Sequence, residues 1–325
     1  MRVRTNCHVV LAIVGLISID LFAQTQPSRN ITMLLPDRKG AVRIDVTGLN
    51  VQGRTLRADG RQIKVTAESS DGILMSAFLE VAPKAGSSAD VRDTWWPGLR
   101  KNTPFKLDDV QLKERETSAT AEYTIREAKG VPVMQRNVHA YYGGDEVWAE
   151  VHLSKVSYKP GDDALFNSFL HRIEVLPMYE PNSVDNFLIG TTFYKNGDYA
   201  RATRFYQRSL DAQQAAPLLN DQMWHVLVDN LGMAYGMSGD LPHAKQVFEA
   251  AIAKDPQYPL FEYNLACYYG EKNDLENAIT HLKRAFELRA NVLPGEKMPD
   301  PLQDDSFQRF RNNEQFITVA KSLSQ

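Results

Sequence analysis

The stretch Leu231-Gly232-Met233-Ala234-Tyr235-Gly236-Met237-Ser238-Gly239-Asp240-Leu241 decides how the C-terminal half is read. A small residue is followed by an aromatic one, then by a Gly-Asp pair that opens a new apolar run carrying Ala244, Phe248, Ala251 and Pro256. The pattern returns 34 residues later as Leu265-Ala266, Tyr269, Asn273-Asp274-Leu275, Ala278, Leu282 and Ala285. It also stands 42 residues earlier as Ile189-Gly190, Phe193, Gly197-Asp198-Tyr199, Ala202, Tyr206 and Ser209. Each type has a mechanical reason. Gly or Ala lets a second helix approach the first, and the reciprocal small residues Ala202, Ala244 and Ala278 do the same from the other side. The large side chains fill the remaining space, each contributing about 1.5–3 kcal/mol on burial. Gly and Asn tolerate the left-handed conformation of a tight turn, and the Asp after them caps the next helix.

Three copies in register resemble the tetratricopeptide repeat, a helix–turn–helix unit of about 34 residues. The resemblance implies units at about 183–216, 225–258 and 259–292, with eight extra residues between the first two around Ala215–Gln222. It implies a superhelix whose inner face is lined by the first helix of each pair. Family registration places Phe187, Leu188, Thr191 and Tyr194 there from the first copy. Asp229, Asn230 and Met233 come from the second, and Tyr263, Asn264 and Cys267 from the third. Asn230 and Asn264 are equivalent positions at which an amide, both donor and acceptor, can bond the backbone of an extended peptide. The family's lysine- and arginine-based carboxylate clamp is not matched, because Lys195 stands nearly alone. Asp229, Glu262 and Glu271 favour a neutral or basic, partly apolar segment instead. Residues 302–320 resemble a terminal cap, with Phe307, Phe310 and Phe316 covering the apolar end of the stack.

Before residue 180 the pattern is different. Ala41–Val46, Arg61–Thr66, Glu122–Ile125 and Pro132–Val138 alternate with a period of two, as half-buried strands do. Asn137–Tyr142 and Val147–Leu153 predict a hairpin in which Gly144-Asp145 supply positive φ angles. That register sets Tyr142 against Val147, Ala140 against Ala149 and Val138 against Val151. His139, Trp148, Glu150 and His152 share the other, polar face. Ser88–Trp96 reads as a capped helix stopped by Pro97-Gly98, Gly161–Leu170 as a second helix, and Ile173–Leu176 as a last strand. Such mixed order indicates an α+β domain with an antiparallel sheet. Its late hairpin, helix and terminal Ile173-Glu174-Val175 strand, over about residues 60–177, resemble the PsbP-like fold, whose members are mostly accessory subunits that bind other proteins.

Composition limits the function. The 325 residues carry 37 Lys+Arg against 40 Asp+Glu, so no cationic excess favours nucleic acid. Arg2 and Arg4, the apolar run Val9–Ile19 and the small residue Ala23 describe a signal peptide at 1–23, cleaved after Ala23. This run is too short to span a bilayer, and no later stretch is long enough, so no span is expected in the mature chain. The expected location is the periplasm or the exterior. Cleavage leaves Cys267 as the single cysteine, excluding an internal disulfide. It also leaves an acidic repeat half, with 14 Lys+Arg against 18 Asp+Glu over residues 181–325, beside a balanced first domain.

No Walker loop, nucleophile elbow, zincin helix or dinucleotide fingerprint is present in a supporting context. His139, Glu150 and His152, with Asp145 in the turn, are the strongest constellation of metal-ligand types, but a polar outer face on a half-buried sheet, where such residues are routine, is the preferred reading and no metal is expected. Of Trp95-Trp96, one is expected in the core. Cys267 is expected to be a packed thiol, with no resolving cysteine. The reading is a multidomain α+β protein: an antiparallel α+β domain at 24–180, then three repeats and a cap at 181–325. Its expected role is a non-enzymatic adaptor binding a protein or peptide, without cofactor. The alternative is an enzyme or a small-ligand or metal-binding first domain docked by the repeats.

Overall fold

The structure, a computed structural model, describes residues 29–323, so the leader expected at 1–23 lies outside the described residues. Two compact units succeed one another in sequence at Glu180–Pro181. In the first, β1 (Asn30–Leu34), β2 (Ala41–Asp45) and β10 (Ile173–Leu176) form a small antiparallel sheet in the order β1-β2-β10. The larger sheet holds β3 (Leu49–Leu56), β4 (Gln62–Ser69), β5 (Ile73–Val81), β6 (Asp108–Glu114), β7 (Ala119–Ala128), β8 (Val131–Tyr142) and β9 (Val147–Lys155). All are antiparallel, in the order β3-β4-β5-β9-β8-β7-β6. Two helices complete the unit, α1 (Ser88–Asn102) and α2 (Asp163–Leu170).

Strand periodicity decides what each face of the large sheet buries. Ala77 and Leu79 of β5, Val138 and Ala140 of β8, and Val151 and Leu153 of β9 share one core with the small sheet and with Phe166 and Phe169 of α2. The opposite face carries Tyr123, Tyr141 and Trp148, and α1 covers it with Val91 and Trp96. Trp95 also packs there, edge-on to Trp148 at 5.8 Å, so both tryptophans rest on the sheet.

The fold departs from three expectations. The hairpin register is shifted by two residues: Tyr142 faces Ala149, Ala140 faces Val151 and His139 faces His152. All four residues from Gly143 to Glu146 form the loop, and none has positive φ. Its shape is set by the segment before α1, since a Cβ on Gly143 would lie 2.3 Å from the Gly86 carbonyl oxygen. Second, α1 does not stop at Pro97 but runs on to Asn102. The ring costs one backbone hydrogen bond, which the packing of Trp96 and Leu99 on the sheet offsets. Third, β1, β3, β5 and β6 add strands beyond those read from periodicity. β3 and β6 are sheet edges without a single buried residue, so no buried face marks them in the sequence.

In the second unit the helices are α3 (Ser183–Lys195), α4 (Tyr199–Ala215), α5 (Asp221–Met237), α6 (Leu241–Lys254), α7 (Pro259–Glu271), α8 (Leu275–Glu287) and α9 (Glu314–Leu323). They pair as α3/α4, α5/α6 and α7/α8. At the three turns Gly197, Gly239 and Asn273 have φ of 74°, 85° and 58°. Asp198, Asp240 and Asp274 then accept hydrogen bonds from the backbone N–H groups of Arg201, His243 and Asn277. The close approach is equally direct. A Cβ on Gly190 would lie 2.7 Å from the Tyr206 ring, and one on Gly232 2.3 Å from Phe248. Where the third pair has Ala266, its partner is the smaller Leu282, and both are fully buried. The eight extra residues are absorbed mainly by length, α4 and α5 having 17 residues each against 13 in α7 and α8. Phe307, Phe310 and Phe316 share one core with Tyr263, Ala266 and Leu282. Among the described residues no helix is long and apolar enough to cross a membrane.

Candidate partner-binding groove

The first helices of the three pairs, α3, α5 and α7, are tied by side chains reaching from one repeat to the next. The Tyr206 hydroxyl of α4 donates to Thr191 Oγ1 at 3.2 Å and is also bonded by Asn230 of α5. Asn264 of α7 donates from its amide to Asp229 of α5. The two equivalent asparagines therefore differ in use. Asn230 is 1% exposed and joins the first repeat to the second from inside the stack. Asn264 is half-buried on α7.

This geometry revises the expected lining. Phe187 is buried beside Tyr206, with ring centroids 6.1 Å apart, and acts as core between α3 and α4. Tyr263 is 1% exposed, and its hydroxyl donates to Asp304 at 3.0 Å. The Cys267 thiol turns to the same carboxylate at 3.8 Å. Burial first, and Asp304 second, push that thiol well above its usual pKa, the opposite of what a nucleophile needs. Glu262 leaves the inner face altogether, accepting a hydrogen bond from His281 Nδ1 of α8 at 2.7 Å. Large helical residues end in the core because each first helix is packed on more than one side, which registration along the chain does not distinguish. Leu188, Thr191, Tyr194, Asp229, Met233, Asn264 and Cys267 remain as half-buried positions.

The electrostatics centre on Asp229. Burial, reinforced by the nearby Glu296, pushes its carboxyl up to about 8, against the lowering effect of the Asn264 hydrogen bond. The folded chain therefore holds this proton where the unfolded chain, near the ordinary 3.8, has released it. Stability should fall as pH climbs from about 4 to about 8, because the native state binds more protons across that window. Asp229→Asn is expected to remove that slope, with a melting temperature above wild type at pH 8 and equal to it near pH 4. Parallel thermal melts across the window check this, and equal slopes in both proteins would contradict it.

Registration along the chain does not find Tyr258, Glu296 or Asp304. Tyr258 precedes α7 and donates from its hydroxyl to Glu296 Oε2 at 2.8 Å. Glu296 and Asp304 lie in the Pro- and Gly-containing stretch after α8, whose only sequence mark is that it cannot be helix.

The histidine constellation of the first unit has a different use. His139 Nδ1 meets Glu150 Oε1 at 2.5 Å, and its Nε2 meets the Tyr123 hydroxyl at 3.1 Å. His152 stacks on it at 4.0 Å and turns Nε2 to Asn137. Burial first, then the neighbouring His139, holds His152 down to about 3, so it is neutral at physiological pH. The ring nitrogens serve a buried polar network beneath α1. Among the described residues no three His, Cys, Asp or Glu side chains converge as metal ligands.

The C-terminal half is an array of three stacked helix–turn–helix pairs with a capping helix, the arrangement expected of tetratricopeptide repeats. The tetratricopeptide repeat family model matches residues 263–292. Similar solved structures include PcrH from Pseudomonas aeruginosa, at 15% identity over 44% of this chain and 92% of that one, with a TM-score of 0.31. The Sgt2 TPR domain from Aspergillus fumigatus shares 20% identity over 45% of this chain and 85% of its own, with a TM-score of 0.32. The type III secretion chaperone SycD from Yersinia enterocolitica, in complex with a peptide of the translocator YopD, shares 16% over 43% and 89%, with a TM-score of 0.30. No curated protein matches the sequence as a relative.

Proposed function

We propose that the protein is an exported, non-enzymatic adaptor whose repeat array binds a protein or peptide partner along the face formed by α3, α5 and α7. The observation that carries this reading is the row of half-buried mixed side chains, Thr191, Tyr194, Asp229, Met233 and Asn264, on three adjacent helices. Stacked helical repeats present such faces as extended binding surfaces. The basic, apolar leader at residues 2–23 supports action outside the cytoplasm. Residue-resolved crosslinking and mass spectrometry on the native envelope test the reading. Tyr194→Ala with Asn264→Ala is expected to lose partner crosslinks to α3, α5 and α7 while the helical circular dichroism stays unchanged. Crosslinks that persist on those helices would place recognition elsewhere.

A further inference from the structure

After α8 the chain does not leave the repeats. Following a short 3-10 turn at Arg289–Asn291, residues 292–304 run without helix or strand, and successive side chains grip the second and third repeats. Asn291 donates from its amide to the Gln257 carbonyl at 3.1 Å. Leu293 packs on the cluster of Trp224, Val228 and Phe261. Glu296 accepts from the Tyr258 hydroxyl at 2.8 Å and from the Leu293 backbone N–H at 3.2 Å. Met298 touches both this cluster and the next, which contains Tyr263 and Ala266. Asp304, 5% exposed, closes the run on Tyr263 and Cys267. Most of these partners stand on α5 and α7 or cap α7.

We propose that residues 291–304 are a built-in strap seated on the second and third repeats, and that an external extended segment binds there by displacing it. This rests on the groove reading above and specifies its occupant. The strap defines the ligand's pattern: two aliphatic or thioether side chains five positions apart, as Leu293 and Met298 are. It also shows where a competitor gains. Glu296 brings a second carboxyl toward the half-buried Asp229 and raises the cost of ionising it. A ligand with a neutral or cationic side chain at that point keeps the apolar contacts and removes the conflict. Gly295, with φ of 89° and open space where a Cβ would stand, sets the turn that brings Glu296 back to Leu293.

The test uses the full mature chain and a fluorescently labelled peptide with the sequence of residues 290–304 carrying Glu296→Lys. The strap-loosening variants are Leu293→Ser with Met298→Ser, and separately Gly295→Val, which strains the turn without touching the repeats. Both are expected to bind the probe at least about tenfold more tightly than wild type, since the strap no longer competes. Adding the probe to wild type is expected to speed amide hydrogen exchange across 292–304. Equal affinity for all chains with unmoved exchange at 292–304 overturns the strap and leaves the groove reading standing. Faster exchange in the variants with no probe binding to any chain overturns the displacement and counts against the groove reading itself.

Discussion

Glu122→Ala is expected to lower the unfolding free energy of the α+β unit by about 3–5 kcal/mol, the range for a buried ion cluster robbed of one partner. Glu122 lies on β7 with its side chain 4% exposed. It accepts from Lys113 and Arg136 at 2.7 Å each and from Arg115 at 3.1 Å. Arg136 is itself nine-tenths buried, so removing the carboxylate leaves its guanidinium with only the half-exposed Asp163, 4.0 Å away, in a site lined by Phe166 and Leu170. Glu122→Gln keeps the shape and one acceptor, and its loss should be smaller. The pH dependence has a definite sign. Burial alone would raise this carboxyl, but the hydrogen bonds from Lys113 and Arg115 and the charge of Arg136 hold it below its ordinary value of 4.5. Its contribution is therefore full above about pH 4.5 and is lost as pH falls through the lower, folded value. Chemical denaturation of wild type and both variants at pH 7 and in acid measures this; a Glu122→Ala loss below about 1 kcal/mol would show the cluster to be solvated.

The second large effect concerns the repeat interior. Gly232→Ala adds a methyl group whose carbon would sit 2.3 Å from the Phe248 ring, and Phe248 is 3% exposed among packed neighbours. Alanine favours helix over glycine by about 1 kcal/mol, yet overpacking of a closed core costs about 1–3 kcal/mol and at this separation should prevail. A net loss of about 1–2 kcal/mol is expected. Gly232→Ala with Phe248→Leu reproduces the Ala266–Leu282 pairing of the third repeat and should recover most of it. The double-mutant cycle therefore has a signature that a nonspecific helix defect lacks: coupling of at least about 1 kcal/mol in the rescuing direction. Additive losses would refute the reciprocal-size account.

The repeat half was legible because its determinants are local. Gly197-Asp198, Gly239-Asp240 and Asn273-Asp274 each carry their turn and cap within two residues, and size complementarity recurs at fixed offsets. In the first unit, alternation marked β2, β4 and parts of β7 to β9, where one face meets the core. It could not mark β3 or β6, whose exposed edge residues have no face to segregate. Nor could it find Glu122, a charge on a core-facing position, because its three cations come from β6, from the β6–β7 turn and from β8.

The candidate site divides in the same way. Registration by offset placed Thr191, Tyr194, Asp229, Met233 and Asn264 on the first helices of the pairs, where they are half-buried. It did not separate Asn230, Phe187 and Tyr263, which the packing of neighbouring helices draws inside. Those assignments depend on which flank of a helix is covered, and cover comes from other parts of the chain.

From the sequence alone follow the helix pairs, their turns, the matched small and large residues between them, and the alternation of an antiparallel α+β unit. All are encoded in residues a few positions apart. Tertiary structure decided the hairpin register, the passage of α1 through Pro97, the network around His139 and the seating of residues 291–304 on the repeats. Each of these depends on contacts between residues far apart in the chain, whose burial and charge are set only when the folded elements meet.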